Sequence, residues 1–228
     1  MTPFYNQLLF PGAASKKAMQ LACLFDHITA VTVMVLILVL HWSVVVLQRS
    51  YAAPLMYKEH KTLELVWTIL PMLLLMWVAI PSLYLLYKHA QNPQLTFITV
   101  KIIGHQWYWE YEFNSWDVLG SESVSYDSYM VSDPDLEFGL PRALEVDKPL
   151  VLPYGVQVRL LTTSADVIHS WSLPSMGLKV DAMPGRMNEV TVTALKPGVF
   201  EGMCSEICGS GHAHMPIQVE FISKEDFT

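Results

Sequence analysis

The sequence predicts an α+β membrane protein, in which a two-helix transmembrane hairpin precedes a β-sandwich or barrel domain. Three observations predict it. The N-terminal part of the 228 residues holds two long apolar runs, the remainder has short β-branched and aromatic segments between prolines, and charge changes sign between the two parts. We expect residues 1–90 to form the N-terminal tail and hairpin, and residues 91–228 to form the β domain.

Two apolar runs predict membrane spans at about 28–47 and 65–87. The first run holds a single ionisable residue, His41, and the second run holds no charge. Each run is long enough to cross about 30 Å of hydrocarbon as a helix. Pro71 and Pro81 are tolerated in such spans, because neighbouring helices satisfy the freed carbonyls. The alternative is a pair of buried core helices, although two such runs are rare in soluble proteins. A cleaved signal peptide is not expected, since the first run starts late and no small-residue cleavage site follows it.

The charge distribution separates the two parts and restricts the partners. Residues 1–90 carry a net charge of +3 and the rest −10, within a total of −7. So acidic a domain excludes nucleic acid, which needs a basic surface, and favours a basic protein partner steered in by the field. The loop between the runs carries Arg49, Lys58 and Lys61, which favours the opposite compartment for the acidic domain.

Short strands separated by prolines are predicted after residue 95, as is typical of a sandwich or barrel. A run at 96–113 is rich in β-branched and aromatic residues. The later strand candidates are 150–152, 156–162, 189–193, 199–203 and 217–222. Residues 114–147 are polar and acidic, and are predicted to be a long loop or a partner surface.

One loop near the C-terminus concentrates the residues that bind soft metals. It lies between two predicted strands, so we expect it at one end of the β domain. Sulfur ligands together with imidazole select copper. The candidate ligands are Cys204, Cys208, His212, Met215 and a distant histidine, His169. One cysteine, two histidines and a methionine would make a mononuclear site, whereas the second cysteine offers enough ligands for two coppers bridged by both sulfurs.

Other interpretations of the same residues remain open at this point. The two loop cysteines could form a disulfide, and the cysteines and histidines could bind zinc. A disulfide does not need His212 and Met215 at these offsets, and Met215 argues against zinc. Cys23, near the first span, is interpreted as a small apolar residue, and His214 as an exposed loop residue.

Two further residues have a structural and a functional interpretation. Trp107 lies in the run Gly-His-Gln-Trp-Tyr-Trp, where propensity favours an aromatic strand packed against the core. A tryptophan near the metal loop could instead be where electrons enter. Glu64, at the mouth of the second span, is either a solvated helix-end carboxylate or a proton-handling group at a membrane boundary.

These motifs together resemble the subunit 2 family of haem–copper cytochrome c oxidases, over nearly the whole chain. The resemblance is carried by Trp67–Pro71, Gly104–Trp109, Asp166–Trp171, Val180–Arg186 and Cys204–Gly209. It implies that the β domain is a cupredoxin-like sandwich with a binuclear copper centre, CuA. The chain departs from the family's pattern in two places. His214 lies beside a ligand, and the 114–126 stretch has a longer and less acidic start.

The resemblance also implies roles for individual residues. Two copper ions would be bound by the side chains of His169, Cys204, Cys208, His212 and Met215 and by the backbone carbonyl of Glu206. The Glu206 side chain would reach a magnesium at the interface with subunit 1. Trp107 would be the electron-entry residue, and Glu64 would stand at the entrance of a proton channel. The carboxylates that dock cytochrome c would be Glu112, Asp117, Asp127, Asp147 and Asp166.

The function that this resemblance implies is electron entry into a membrane oxidase. The chain would accept electrons from cytochrome c and pass them to haem a in subunit 1, where oxygen is reduced with proton pumping. Its partners would be subunits 1 and 3, accessory subunits, cytochrome c and the lipid bilayer. We expect it in the mitochondrial inner membrane with its C-terminal domain in the intermembrane space, a bacterial plasma membrane being the alternative. Two other functions are alternatives: a structural subunit of a related quinol oxidase, which lacks the copper ligands, and a membrane-tethered mononuclear copper carrier.

Overall fold

Two long helices account for the apolar runs. The computed structural model describes residues 8–49, 59–90, 95–113 and 124–227. Helices α1 (Lys16–Arg49) and α2 (Lys61–Ala90) contain both predicted spans and extend beyond them. Both are long and apolar enough to cross a membrane. Their large apolar side chains are mostly exposed all round, which is typical of helices surrounded by lipid or by other membrane helices.

The part that follows is built from β-strands in mixed sheets. Its described strands are β1 (Ile98–His105), β2 (Tyr108–Phe113), β3 (Val124–Ser128), β4 (Leu150–Pro153), β5 (Val158–Ser164), β6 (His169–Leu173), β7 (Leu178–Ala182), β8 (Asn188–Val192), β9 (Gly198–Met203) and β10 (Pro216–Ile222), with a short helix α3 (Lys224–Phe227) after them. One sheet has the order β3-β2-β1-β5-β8, a second β4-β10-β9, and β6 pairs with β7. Strands β1 and β5 are parallel, as are β4 and β10.

A single hydrophobic cluster joins these sheets into a sandwich. It takes Trp109 and Tyr111 from β2, Trp171 from β6, and Phe200 and Phe221 from β9 and β10, all nearly inaccessible to solvent. In β1 every second residue is buried, which is the period expected of a strand with one face on a core. The predicted sandwich after a helical hairpin is therefore confirmed.

The structure corrects the strand predictions at several places. The run at 96–113 is two antiparallel strands, joined by a two-residue turn at Gln106 and Trp107. Strand β3 falls inside the stretch predicted as a loop, and β6 and β7 were missed. Strand β6 reads His-Ser-Trp-Ser-Leu with all five residues buried, so no alternation of exposed and buried positions marks it.

Contacts divide the chain into two units. One is Gln20–His89, and the other combines the described residues of Met1–Met19 and Ala90–Thr228. The segment before α1 adds backbone bonds to the β domain: the Ala14 N–H donates to the Ser175 carbonyl, and the Leu195 N–H donates to the Ala14 carbonyl, both at 2.8 Å. The predicted division between residues 90 and 91 stays a prediction.

Candidate metal centre

The cysteine-rich loop connects β9 to β10 and closes onto the start of β6. The Cys204 N–H donates to the Met215 carbonyl at 3.4 Å, which continues the β9–β10 pairing into the loop. The Ser205 N–H donates to the Ser170 carbonyl at 2.9 Å, so the loop is attached to the strand that begins with His169. Two segments distant in the sequence, the β9–β10 loop and the start of β6, therefore meet at one end of the sandwich.

The two loop cysteines are free and buried, with their sulfur atoms 4.0 Å apart. A disulfide would need about 2.05 Å, so the structure does not have the disulfide considered above. Cys204 Sγ lies 4.0 Å from His169 Nδ1 and 3.4 Å from the Glu206 carbonyl oxygen. The ligand atoms of His169, Cys204 and Cys208 all lie within 4.8 Å of one another.

The second cysteine has a matching set of neighbours. Cys208 Sγ lies 3.5 Å from His212 Nδ1 and 3.5 Å from Met215 Sδ. Each of the two sulfur atoms thus has one imidazole nitrogen and one weaker donor, a carbonyl oxygen or a thioether, beside it. Soft sulfur donors and imidazoles brought together in this way fit a copper site.

The environment favours opposite protonation states for the two thiols. Burial raises the pKa of Cys204, but hydrogen bonds with His169 and with the backbone at Glu206 and Ser170 lower it more, to about 6. Burial and the neighbouring Cys204 sulfur raise the pKa of Cys208 to about 12. Metal ligands must lose their protons, so copper binding at this thiol pair would release a proton.

The His169 ring is held from two sides. Its Nε2 lies 2.8 Å from Asp166 Oδ1, as is typical of a carboxylate that orients a metal-binding histidine. A Cβ atom on Gly104 would lie 2.8 Å from Cδ2 of this ring, so a side chain there would displace His169. The resemblance assigned Asp166 to docking, whereas in the structure its carboxylate faces a candidate ligand.

The two tryptophans of the aromatic run lie in different environments. Trp109 is fully buried in β2 and donates from Nε1 to the Met215 carbonyl at 3.3 Å. Trp107 is half-buried at the β1–β2 turn, where its Nε1 donates to the Cys208 carbonyl at 3.3 Å. The core-packing interpretation therefore describes Trp109 fully, while Trp107 packs against the core beside the metal loop and stays partly exposed.

Sequence reasoning missed Gln106, which precedes this tryptophan. Its side-chain amide donates to the Cys208 carbonyl at 2.8 Å, and its backbone N–H donates to Asp166 Oδ2 at 2.7 Å. The two partners lie 102 and 60 positions along the chain, so no local period or spacing could have found them.

The described docking carboxylates other than Asp166 have partners outside the ligand cluster. Glu112 forms an ion pair with Lys101 at 2.8 Å. Asp127 accepts a hydrogen bond from the Tyr129 hydroxyl, and Asp147 from the Tyr129 N–H. Glu64 is exposed in the first turn of α2, His214 is exposed after His212, and Asp117 lies outside the described residues.

Family models match both parts of the chain. The model described as "Cytochrome C oxidase subunit II, periplasmic domain" matches residues 98–222, and the model for the transmembrane domain of the same subunit matches residues 3–85. The chain belongs to the cytochrome c oxidase subunit 2 family. The resemblance stated from the motifs is thereby confirmed, and the chain is a subunit of an oxidoreductase complex.

Individual subunit 2 relatives agree with the family models. Cytochrome c oxidase subunit 2 of Oenothera berteroana is 42% identical over 226 residues, 97% of this chain and 88% of that protein. The mitochondrial subunit 2 of Vigna unguiculata is 48% identical over 166 residues, 73% of this chain and 44% of that protein. The crystal structure of the periplasmic domain of subunit II from Bradyrhizobium japonicum is 39% identical with a TM-score of 0.53, over 60% of this chain and 91% of that one.

Proposed function

We propose that this chain is the electron-entry subunit of a mitochondrial cytochrome c oxidase. It accepts electrons from reduced cytochrome c at a binuclear copper centre and passes them to haem a in subunit 1, for oxygen reduction coupled to proton pumping. The observation that carries the proposal is the matched donor sets around two free, buried thiols 4.0 Å apart.

The matched donors favour two copper ions over one. Cys204 has His169 and a carbonyl oxygen beside it, while Cys208 has His212 and Met215. A mononuclear site uses one cysteine and would leave the other thiol buried among metal ligands without a role. Two bridging thiolates would give each ion two sulfurs, one imidazole and one weak ligand.

The copper pair, when bound, supplies one-electron redox chemistry with the charge change shared between two ions. The chain's residues hold the ligands in fixed positions. His169 is fully buried and fixed by Asp166 and Gly104, while Met215 is fixed by the backbone bond to Cys204. Rigid and nearly dry surroundings keep the ligand geometry similar in both redox states, so little reorganisation opposes electron transfer.

The other assigned roles complete this proposal. The Glu206 side chain binds a magnesium ion at the interface with subunit 1, and Glu64 stands at the entrance of a proton channel. Subunits 1 and 3, accessory subunits, cytochrome c and lipid are the partners. The hairpin spans the mitochondrial inner membrane, and the β domain lies in the intermembrane space, in keeping with the naming of the Vigna unguiculata relative as mitochondrial.

Copper stoichiometry tests the proposal directly. The full-length chain, purified in detergent and loaded with copper, should hold two copper ions. Its electron paramagnetic resonance spectrum should show one unpaired electron shared equally by both nuclei. One copper with four hyperfine lines would instead identify a mononuclear carrier, and a chain that binds none would be a structural subunit.

The third cysteine provides a matched control. Replacing Cys204 or Cys208 by Ser removes a bridging sulfur and should abolish the two-copper spectrum. Cys23→Ser makes the same change in α1, outside the cluster, and should leave both copper content and spectrum unchanged. Equal spectra for Cys208→Ser and the wild type would contradict the assignment.

A further inference from the structure

The Trp107 indole fills the space that a side chain at position 211 of the metal loop would need. A Cβ atom on Gly211 would lie 2.3 Å from Cδ2, 2.4 Å from Cγ and 2.8 Å from Cε3 of this ring. A Cβ atom essentially never lies within 3.0 Å of a heavy atom to which it is not bonded. The ring therefore lies directly on the backbone at Gly211, one residue before the proposed ligand His212.

The backbone conformation does not by itself require glycine at this position. Gly211 has φ −90° and ψ 12°, which other residues also adopt. Gly209, two residues earlier, has φ +123° and would be strained with a side chain whatever surrounds it. The restriction at Gly211 thus comes from the indole ring.

The hairpin tip that carries Trp107 is also bonded to the metal loop. The Trp107 Nε1–H and the Gln106 side-chain amide both donate to the Cys208 carbonyl, at 3.3 and 2.8 Å. The Gln106 N–H donates to Asp166, which faces His169. These bonds keep the half-buried indole over the loop segment between two proposed ligands, Cys208 and His212.

We propose that Gly211 is a positioning residue for electron entry, because its missing side chain lets the Trp107 indole pack directly on the metal loop. This inference rests on the proposed function, and on the electron-entry role that the resemblance implies for Trp107. A methyl group at position 211 would push the ring away by about 1 Å to reach an ordinary contact distance. The Nε1–H bond to Cys208 would lengthen or break as a result.

The first test follows the indole in the metal-free chain. In full-length protein in detergent, labelled with ¹⁵N at tryptophan, the Trp107 Nε1–H resonance is assigned by its loss in Trp107→Phe. Gly211→Ala should shift this resonance and speed its exchange with solvent. Ser210→Ala, the exposed neighbour on the same loop, is the matched control and should leave it in place. An unmoved resonance in Gly211→Ala would overturn the proposal.

The second test measures electron entry in the assembled oxidase. Gly211→Ala should slow reduction of the oxidase by bound cytochrome c about tenfold, with copper content and cytochrome c affinity unchanged, because a small misplacement of a positioned group has a large effect on rate. In a Trp107→Ala background the same substitution should have no further effect, since the ring that it displaces is gone. Independent effects of the two substitutions would overturn the role of Gly211.

The double variant also tests the proposal in the case that Gly211→Ala no longer binds copper. Where Gly211→Ala binds no copper, restored copper binding in Trp107→Ala/Gly211→Ala supports the steric role, and its continued absence contradicts it. A wild-type chain without copper would overturn the proposed function itself. The role of Gly211 alone would be overturned if the wild-type chain binds copper but Gly211→Ala leaves the Trp107 resonance of the metal-free chain unmoved.

Discussion

At the scale of single residues, Asp166 joins a proposed copper ligand to the turn that carries Trp107. One carboxylate oxygen lies 2.8 Å from His169 Nε2, and the other accepts the Gln106 N–H at 2.7 Å. Burial raises the pKa of Asp166, but hydrogen bonds from His169 and from the Val167 and Gln106 amides lower it more, so the group stays a carboxylate. The negative charge of Asp166 therefore lies beside His169, within the candidate metal site.

Asp166→Asn is expected to weaken copper binding by about 10- to 100-fold, because it removes the negative charge that supports the His169 ring. Competition with a chelator in the full-length chain measures this effect. Asp127→Asn, which changes a carboxylate in β3 with no contact to a candidate ligand, is the control and should not alter copper affinity. Unchanged copper affinity with weaker cytochrome c binding would return Asp166 to a docking role.

At the scale of elements, the β9–β10 pair buries a carboxylate away from the metal loop. Glu201 on β9 lies opposite Gln218 on β10, and both are more than nine-tenths buried. Gln218 donates to Glu145 at 3.1 Å, whereas Glu201 Oε2 has no hydrogen-bond partner among the described residues. Burial raises the pKa of Glu201 above its usual range, and the charge of Glu145 raises it further.

This pKa has a predictable effect on stability. Because the folded state holds the Glu201 proton more tightly than the unfolded state, the free energy of unfolding falls as pH rises from the usual glutamate range through the raised pKa. Glu201→Gln should therefore stabilise the full-length chain at pH 7, because the buried amide does not have to carry a charge. The gain should disappear below the usual glutamate pKa.

Thermal melts between pH 4 and 8, followed by circular dichroism in detergent, measure the effect. Glu220→Gln makes the same change at a half-buried position of β10 and should leave the pH profile as in the wild type. Equal melting temperatures for Glu201→Gln and the wild type at pH 7 would show that ionisation of Glu201 does not destabilise the folded chain.

At the scale of the whole molecule, charge is divided between a basic N-terminal part and an acidic remainder. Residues 1–90 carry +3 and residues 91–228 carry −10. An acidic surface speeds association with a basic partner through long-range attraction, and salt screens that attraction beyond about 8–10 Å. The proposed docking of cytochrome c therefore depends on the total charge of the domain as well as on individual carboxylates.

The second-order rate constant for oxidation of cytochrome c by the complete oxidase should fall steeply as ionic strength rises. Asp127→Asn should reduce both the rate at low salt and the steepness of the salt dependence. Asp226→Asn, in the C-terminal helix α3, removes the same charge from a residue outside the docking set and should have a smaller effect. A rate that does not respond to salt would contradict docking on the acidic domain.

The sequence by itself determined the features that depend on neighbouring residues. Two long apolar runs were enough to predict α1 and α2, and the spacing of Cys204, Cys208, His212 and Met215 within one loop was enough to predict a soft-metal site. The sequence located β1, β5 and most of β10 in the same way, because apolar and polar residues alternate within each of these strands.

Only the tertiary structure decided which distant residues meet at the site. Trp107 and Trp109 are two positions apart and chemically identical, yet one lies at a turn and the other in the core. Asp166 faces His169, and Gly211 receives the indole of Trp107. These contacts depend on strand register and on how the sheets pack. Strand register and sheet packing leave no periodic pattern in the sequence. A strand that is buried on both faces does not alternate between polar and apolar residues, and close contacts are made by segments far apart in the sequence.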